Sequence, residues 1–179
     1  MRKKYSNVLT PDDVDFLINT DWAANEQFGK DNAYLSNDIA LKQQYRNASD
    51  NWCEHPIFSK LLEIIRKDFD ANISEHSYIR IEHRPIGHNW HNDIGAQYDG
   101  DPSHQKNTWL DCAASILLTS TDDFTEGDMY YADAYGKDKI PVNPVKVDRE
   151  QYDMIVHSAD VWHSVDKHEG NRTVMLLFV

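Results

Sequence analysis

The residues of this sequence best suited to chemistry are two histidines and an aspartate. His91 and Asp93 stand two positions apart, and His163 lies in the alternating stretch Asp160-Val161-Trp162-His163-Ser164-Val165. Side chains two positions apart on a strand project from the same face, so His91 and Asp93 can reach one metal ion while a distant strand supplies His163. Two imidazoles and one carboxylate on one face of an octahedron leave open positions, which is the arrangement of non-haem Fe(II) sites.

Arg172 adds a cation to this group. It stands nine positions after His163, across a polar turn, and opens a final apolar segment that contains no acidic residue. A hairpin of this length can place Arg172 beside His163 with its guanidinium turned inward. A buried guanidinium needs an anionic partner, and a carboxylate matches its two-pronged geometry best. The pattern therefore predicts that a small dicarboxylate binds between the metal and Arg172.

The ordered set His91-x-Asp93, His163 and Arg172 resembles the Fe(II)/2-oxoglutarate-dependent dioxygenases, particularly the compact prolyl-4-hydroxylase-like branch. The likeness extends from about Ser77 to Val179. It implies that the first three residues hold Fe(II) and that Arg172 binds the distal carboxylate of 2-oxoglutarate. It also implies that O₂ is consumed, that a C–H bond is hydroxylated, and that succinate and CO₂ are released. The substrate implied is a prolyl or other side chain of a peptide, with a free small molecule as the alternative.

One part of the resemblance is incomplete. Relatives often place a tyrosine on the strand before His-x-Asp, or on the next strand, where it contacts 2-oxoglutarate. In this sequence Tyr78, Arg80 and His83 are the candidates for that second contact, and Leu117 occupies the other usual position. The identity of the second residue that binds 2-oxoglutarate stays open at this stage.

Three further positions bear on the site. His88 stands three residues before His91, a spacing that places the two on opposite faces of a strand, so His88 is the weaker candidate for a ligand. His157 and Ser158 occupy positions where relatives often show Pro-Ser. The turn Glu126-Gly127-Asp128 resembles an acidic-Gly-Gly turn in which Asp128 replaces the second glycine.

The N-terminal part carries helix signals. Thr10 followed by Pro11 and two acidic residues predicts a helix start, and residues 5–9 before it are predicted to form a short strand. A second helical stretch is predicted over residues 38–46. Pro56 opens the strongest helix, whose apolar residues recur at three- and four-residue spacing from Phe58 to Phe69.

From residue 77 the apolar period changes to two. Strands are predicted over residues 78–82, 88–93, 111–120, 129–131, 145–147, 152–156, 160–165 and 172–179. About eight short strands separated by turns predict a mainly β fold, a double-stranded β-helix (jelly roll) flanked by N-terminal helices. We expect one domain over residues 1–179, with helical support to about residue 75 and the core from about residue 76. The polar segment 95–107 follows the ligand pair directly and is the candidate lid.

Composition limits the partners. The chain has 179 residues, 40% of them hydrophobic, and a net charge of −12. Because extended phosphate contacts need clustered Lys and Arg, duplex nucleic acid is an unexpected partner. Apolar runs are shorter than the roughly 18 residues that span a bilayer. Cys53 and Cys112 lack metal-like spacing and are expected to be reduced core thiols of a cytoplasmic protein. His55, His76, His104 and His168 are expected at the surface.

Two alternatives to an oxygenase remain at this stage. One is a cupin-like jelly roll that binds another divalent metal with the same ligands, although such a protein has no need for Arg172. The other is a binding or structural protein with a degenerate site. The oligomeric state is not indicated by the sequence.

Overall fold

A computed structural model describes residues 1–19, 42–47, 52–101 and 107–179. Among these residues there are two α-helices, α1 (Pro11–Asn19) and α2 (Pro56–Ile65). The strands are β1 (Arg2–Tyr5), β2 (Lys42–Asn47), β3 (Tyr78–His83), β4 (His88–His91), β5 (Cys112–Leu117), β6 (Phe124–Glu126), β7 (Met129–Ala132), β8 (Ala134–Tyr135), β9 (Pro141–Val142), β10 (Val145–Lys146), β11 (Met154–Ser158), β12 (Trp162–Val165), β13 (His168–Gly170) and β14 (Thr173–Phe178). Short 3₁₀ turns cover Trp52–Glu54 and Thr121–Asp123.

Local hydrogen bonds explain where the helices start. The Thr10 hydroxyl accepts a bond from the Asp13 amide at 3.2 Å, and the Asp13 carboxylate accepts one from the Thr10 amide at 2.9 Å. This reciprocal pair satisfies amides that the first turn leaves free. At α2, His55 Nδ1 accepts from the Ile57 amide at 3.3 Å and Pro56 takes the first position. Both helix starts predicted from the sequence are confirmed.

The strands form two main antiparallel sheets. The large sheet has the order β1-β11-β5-β14-β3-β2, and the small sheet has the order β10-β7-β12-β4. Two further pairs, β13 with β6 and β8 with β9, extend the turns. Two antiparallel sheets with this interleaved strand order form a jelly roll, and the predicted double-stranded β-helix core is confirmed.

The large sheet has two different faces because side chains alternate along each strand. Its helix face packs on α1 and α2, where Ile79, Met175 and Leu177 join Leu61 and other buried apolar residues in one continuous core. Its cavity face looks toward the small sheet and carries polar residues. The helices therefore cover one side of the sheet and leave the other side to the candidate site.

The N-terminal third differs from its prediction. Residues 42–46 were expected to be helical but belong to β2, which pairs with β3 in a register that places Gln44 opposite Ile81. Backbone pairing with β3 outweighs the weak helical pattern of this stretch. Residues 38–41 lie outside the described residues. The first strand ends at Tyr5 rather than running over residues 5–9, since the left-handed backbone of Asn7 turns the chain. The N-terminal part thus supplies both edge strands of the large sheet.

Three of the four histidines expected at the surface lie in the described part of the chain. His76 is exposed and His55 is half-buried, whereas His168 is 4% exposed and the prediction of a surface position is wrong. His168 is covered because β13 folds back on β6, against Phe124 and His83. His104 lies outside the described residues.

Cys53 and Cys112 are free thiols. None of the helices in the described part of the chain is long and apolar enough to span a membrane.

Candidate metal and co-substrate site

A cavity lies between the two sheets. The large sheet contributes the polar side chains of Arg80, Glu82, Ser115 and His157, together with Arg172 at the start of β14. Val174, Leu176 and Phe178 form an apolar wall on the same face, and His91 and His163 line the opposite side. We call the large-sheet residues among these the cavity face. This face places charged side chains in a largely apolar interior.

His91, Asp93 and His163 converge in this cavity. One ligand atom from each lies within 4.8 Å of the others. Asp93 Oδ1 is 4.0 Å from His91 Nε2 and 3.9 Å from His163 Nε2. The two histidines are register partners on β4 and β12, so they project from the same face of the small sheet. This is a donor set and a separation that suit one divalent ion.

Asp93 reaches the site from a turn rather than from the strand predicted for it. β4 ends at His91, and the Asn92 side chain accepts bonds from the amides of Gly95 and Ala96, which turns the chain. The Asp93 amide donates to the Ala159 carbonyl at 2.9 Å. This bond ties the turn to the segment before β12, so the carboxylate is held by both parts of the chain that carry the histidines.

Backbone carbonyls orient the two imidazoles. His91 Nδ1 donates to the Asn89 carbonyl at 2.6 Å, and His163 Nδ1 donates to the Val161 carbonyl at 2.9 Å. Each ring therefore carries its proton on Nδ1 and presents the Nε2 lone pair to Asp93. Outer hydrogen bonds of this type fix the tautomer and the direction of metal-binding histidines.

The electrostatics of the group favour an added cation. Burial and the neighbouring His163 lower the pKa of His91 to about 4, and burial lowers the pKa of His163 to about 4. Burial raises the pKa of Asp93. Asp93 Oδ2 is buried and has no hydrogen-bond partner among the described residues. Neutral imidazoles around a poorly solvated carboxylate match the donors that a divalent metal requires, so the residues present fit Fe(II).

Arg172 lines the same cavity and is 6% exposed. Burial lowers its pKa to about 10, while Glu82 and Asp128 favour its charged form. Those two acids are already paired: Glu82 lies 3.2 Å from Arg80 and 3.0 Å from His88, and Asp128 lies 2.6 Å from Lys146. The guanidinium stacks over Phe124, with its central carbon 5.9 Å from the ring centroid. Arg172 is therefore a buried cation that an incoming carboxylate can neutralise.

Gly127 is needed to make room for Arg172. Its φ is 74°, in the left-handed region, and a Cβ added there would lie 2.8 Å from Arg172 Cδ. Any larger residue would push the guanidinium stem out of place. The acidic-Gly turn singled out in the sequence thus acts on the site through packing, a role that sequence spacing did not reveal.

The three candidates for a second 2-oxoglutarate contact lie in different places. Arg80 lines the cavity. Tyr78 stacks on Phe178 at 4.6 Å, near the end of the sheet. His83 Nδ1 bonds the backbone carbonyl of Arg172 at 3.1 Å, so its ring supports the start of β14. Arg80 is the one of these three whose side chain is among the described cavity-lining groups.

His88 and His157 also border the metal group. His88 bonds Glu82, stacks on His91 at 5.4 Å and lines the same cavity, so the expectation that these two histidines lie on opposite faces is wrong. The pairing of β4 with β12 shifts register between them, and His88 is not part of the converging set. His157 is 3% exposed, and its Nε2 lies 3.7 Å from Asp93 Oδ2. In the sequence, His157 stands out only as a departure from Pro-Ser. The alternation of β11, which places His157 on the cavity face, was the signal that could have identified it.

The described part of the candidate lid is attached to its neighbours. The Asp99 amide donates to the Tyr135 carbonyl at 2.8 Å, and Trp162 Nε1 donates to the Asp99 carboxylate. Trp90 and Trp162 both contact Tyr135, at centroid distances of 6.4 and 4.8 Å. Residues 102–106 lie outside the described residues, so a closing motion of segment 95–107 stays a prediction.

Comparison with known proteins gives similarity in structure alone. No family model matches the sequence, and no curated protein matches it. EvdO2 from Micromonospora carbonacea var. aurantiaca is similar with a TM-score of 0.61 and 13% identity, over 99% of this chain and 85% of that one. A prolyl hydroxylase from Trichoplax adhaerens, in complex with a hypoxia inducible factor peptide fragment, gives a TM-score of 0.55 and 12% identity, over 99% of this chain and 82% of that one.

A 2OG-Fe(II) oxygenase family oxidoreductase from Burkholderia pseudomallei is matched over 72% of this chain but only 54% of its own length, with 16% identity and a TM-score of 0.45. That last similarity is too low to support an argument. The first two extend over nearly the whole chain and establish a shared fold. The resemblance stated from His91, Asp93, His163 and Arg172 is therefore confirmed at the level of the fold.

Proposed function

We propose that residues 1–179 form one Fe(II)- and 2-oxoglutarate-dependent oxygenase domain that hydroxylates a C–H bond. The observation that carries the proposal is the convergence of His91, Asp93 and His163 in a cavity that Arg172 also lines. The overall reaction converts a C–H bond, O₂ and 2-oxoglutarate into a C–OH group, succinate and CO₂. Fe(II) and 2-oxoglutarate, when bound, supply the oxidising chemistry.

Each group of the chain has a defined task in this proposal. His91 and His163 present Nε2 to the metal because their Nδ1 protons are bonded to backbone carbonyls. Asp93 supplies the anionic ligand and balances part of the charge of the ion. Arg172 binds the distal carboxylate of 2-oxoglutarate with charge-assisted hydrogen bonds. The apolar wall of Val174, Leu176 and Phe178 excludes water from the reacting groups.

The substrate we favour is a side chain of a peptide or protein, such as a prolyl residue. The Trichoplax adhaerens prolyl hydroxylase has been solved with a peptide fragment, and it shares the fold over 82% of its length. The free thiols Cys53 and Cys112 support a reducing, cytoplasmic location. A screen of peptides and small molecules, read by succinate release and by the gain of one oxygen atom in the product, tests the substrate class.

Succinate formation tests the proposed reaction. We expect wild-type protein with Fe(II), 2-oxoglutarate and O₂ to form succinate, and Asp93→Ala and His163→Ala each to abolish it. His76→Ala is the matched control, since His76 is exposed and lies outside the cavity. Unchanged turnover in either ligand variant would remove the assignment.

A further inference from the structure

Arg149 carries a second guanidinium, which bonds a residue that lines the metal cavity. It lies between β10 and β11, and its Nη1 donates to the Ser115 hydroxyl at 3.2 Å while Nη2 donates to the Ser115 carbonyl at 3.4 Å. Ser115 lies on β5, in the middle of the large sheet, and lines the metal cavity. The side chain of Arg149 therefore extends from a loop to the cavity face.

Among the described residues, the hydrogen bonds of Arg149 reach only neutral acceptors. Both acceptors on Ser115 are neutral, and Arg149 Nε is buried with no hydrogen-bond partner among the described residues. Asp153 favours the charged form of Arg149, but its carboxylate is 2.9 Å from Lys4 Nζ and pairs with it. Burying a cation on neutral acceptors alone is costly unless a ligand compensates for it.

Arg149 and Arg172 act on each other. Both line a second cavity, and Arg172 lines the metal cavity as well, so the two cavities share Arg172. Burial and the charge of Arg172 lower the pKa of Arg149 to about 9. The repulsion between two such cations lowers stability unless an anion binds between them.

Tyr131 adds a hydroxyl that also lacks a partner. It is the register partner of His163, so it faces the interior beside the metal group. Its hydroxyl is buried without a hydrogen bond to any described residue, and Arg149 is one of the charges that act on it. Arg149 and Tyr131 therefore each carry a buried donor without a partner among the described residues.

We propose that Arg149 joins Arg172 in binding the distal carboxylate of the 2-oxo dicarboxylate co-substrate, so that two guanidiniums hold that end. The inference rests on the proposed function and assigns Arg149 a role in co-substrate specificity. A 2-oxo acid without a distal carboxylate gains nothing from Arg149. The pair therefore makes the site selective for dicarboxylates over monocarboxylic 2-oxo acids.

Binding measured without turnover tests this role. Calorimetric titrations under anaerobic conditions compare 2-oxoglutarate with 2-oxobutyrate, which lacks the distal carboxylate, on Fe(II)-loaded wild type, Arg149→Met and Arg149→Lys. Arg66→Met is the matched control, because Arg66 also donates to a backbone carbonyl, that of Ala71 at 3.1 Å, and lies at the end of α2. The Tm of each metal-free variant checks that it is folded.

We expect Arg149→Met to raise the Kd for 2-oxoglutarate by about 10- to 100-fold, the usual range for a lost charged hydrogen bond. The Kd for 2-oxobutyrate should stay unchanged, Arg149→Lys should recover part of the loss, and Arg66→Met should behave as wild type. Equal weakening of both acids would mean that Arg149 only supports the loop, and unchanged 2-oxoglutarate binding would also overturn the inference. If wild type binds no 2-oxoglutarate, the proposed function itself fails and the inference with it.

Discussion

The two faces of the large sheet come from the same strands but differ in their content of charged residues. On β3 and β14, Ile79, Ile81, Met175 and Leu177 point toward the helices and are almost fully buried in an apolar core. The alternate positions carry the cavity face, where Arg80, Glu82 and Arg172 line the site. A shift of one residue in the pairing of a strand would exchange its helix-facing and cavity-facing side chains, since side chains alternate with period two.

The helix face therefore contributes mainly to the stability of the fold, and the cavity face contributes mainly to the proposed chemistry. Fully burying one large apolar side chain stabilises a fold by about 1.5–3 kcal/mol, whereas burying a polar or charged group costs free energy unless it is paired. Burial of α2 against the helix face supplies the stabilising contribution, and Asp93, Arg149 and Arg172 around the cavity carry the cost of burying charged groups. Proteins tolerate such groups where function requires them, and substitutions there can raise stability while removing activity.

The largest expected effect is on activity, from Asp93→Asn in the cavity. Losing the anionic ligand should lower succinate formation by at least about 10³-fold, equivalent to several kcal/mol of lost metal assistance. The Tm of the metal-free variant should equal or exceed that of wild type, because burial disfavours the Asp93 carboxylate. A large drop in Tm together with retained turnover would contradict the separation of the two faces.

The helix face should respond in the opposite way. Leu61 is 0% exposed, so Leu61→Ala should lower the free energy of unfolding by about 2–5 kcal/mol, the range for a buried Leu→Ala change. Urea unfolding provides the measurement, and the folded fraction should keep wild-type affinity for 2-oxoglutarate. Ile18→Ala on α1 is the control, because Ile18 is 44% exposed and its loss should change stability by less than about 0.5 kcal/mol.

Arg172→Met should weaken 2-oxoglutarate binding by about 10- to 100-fold with little change in metal affinity. The guanidinium is the charged partner of the distal carboxylate, whereas the three metal-binding side chains remain in place. Anaerobic titration of 2-oxoglutarate into the metal-loaded variant provides the measurement. A metal-binding jelly roll that is not an oxygenase has no use for this residue, so wild-type affinity in Arg172→Met would favour that alternative.

A smaller effect concerns pH. The pKa of His91, His163 and His168 is lowered to about 4 by burial, against about 6.5 in an unfolded chain. Between these values the unfolded chain binds more protons than the folded protein, so stability falls as the pH is lowered from about 6.5 to about 4. The raised pKa of Asp93 acts in the opposite direction and offsets part of this loss.

Metal-free protein should therefore have a lower urea midpoint at pH 5 than at pH 7. In His168→Phe the free energy of unfolding should change less steeply with pH, because this buried imidazole no longer contributes. The difference in bound protons between the unfolded and folded protein should fall by up to about one. Equal midpoints for wild type at the two pH values would show that the imidazoles gain protons as easily in the folded protein as in the unfolded chain.

The sequence predicted the elements that local signals specify. The Thr10 and Pro56 helix starts, the alternating strands and the set His91, Asp93, His163 and Arg172 all depend on spacing within short segments. β2 was missed because its structure depends on pairing with β3, a contact between distant parts of the chain. The burial of His168 depends on the same kind of contact, since β13 pairs with β6.

The sequence did not identify His157 and Arg149 for a related reason. His157 and Arg149 reach the site only because β11 and the loop before it lie against β5, where His157 is opposite Ala113 and Arg149 bonds Ser115. Their sequence neighbours carry no motif that marks them. Of Tyr78, Arg80 and His83, spacing could not select the residue facing the cavity, because strand direction alone leaves Tyr78 and Arg80 on one face.

The most direct test of the account uses wild-type protein without oxygen. Adding Fe(II) and then 2-oxoglutarate should produce a visible charge-transfer band, which would arise if the co-substrate binds directly to a metal held by His91, Asp93 and His163. The band should be lost in Asp93→Ala and His163→Ala, and should require more 2-oxoglutarate in Arg172→Met. Wild-type protein that binds Fe(II) but develops no band at saturating 2-oxoglutarate would contradict the claim that the cavity face is an oxygenase site.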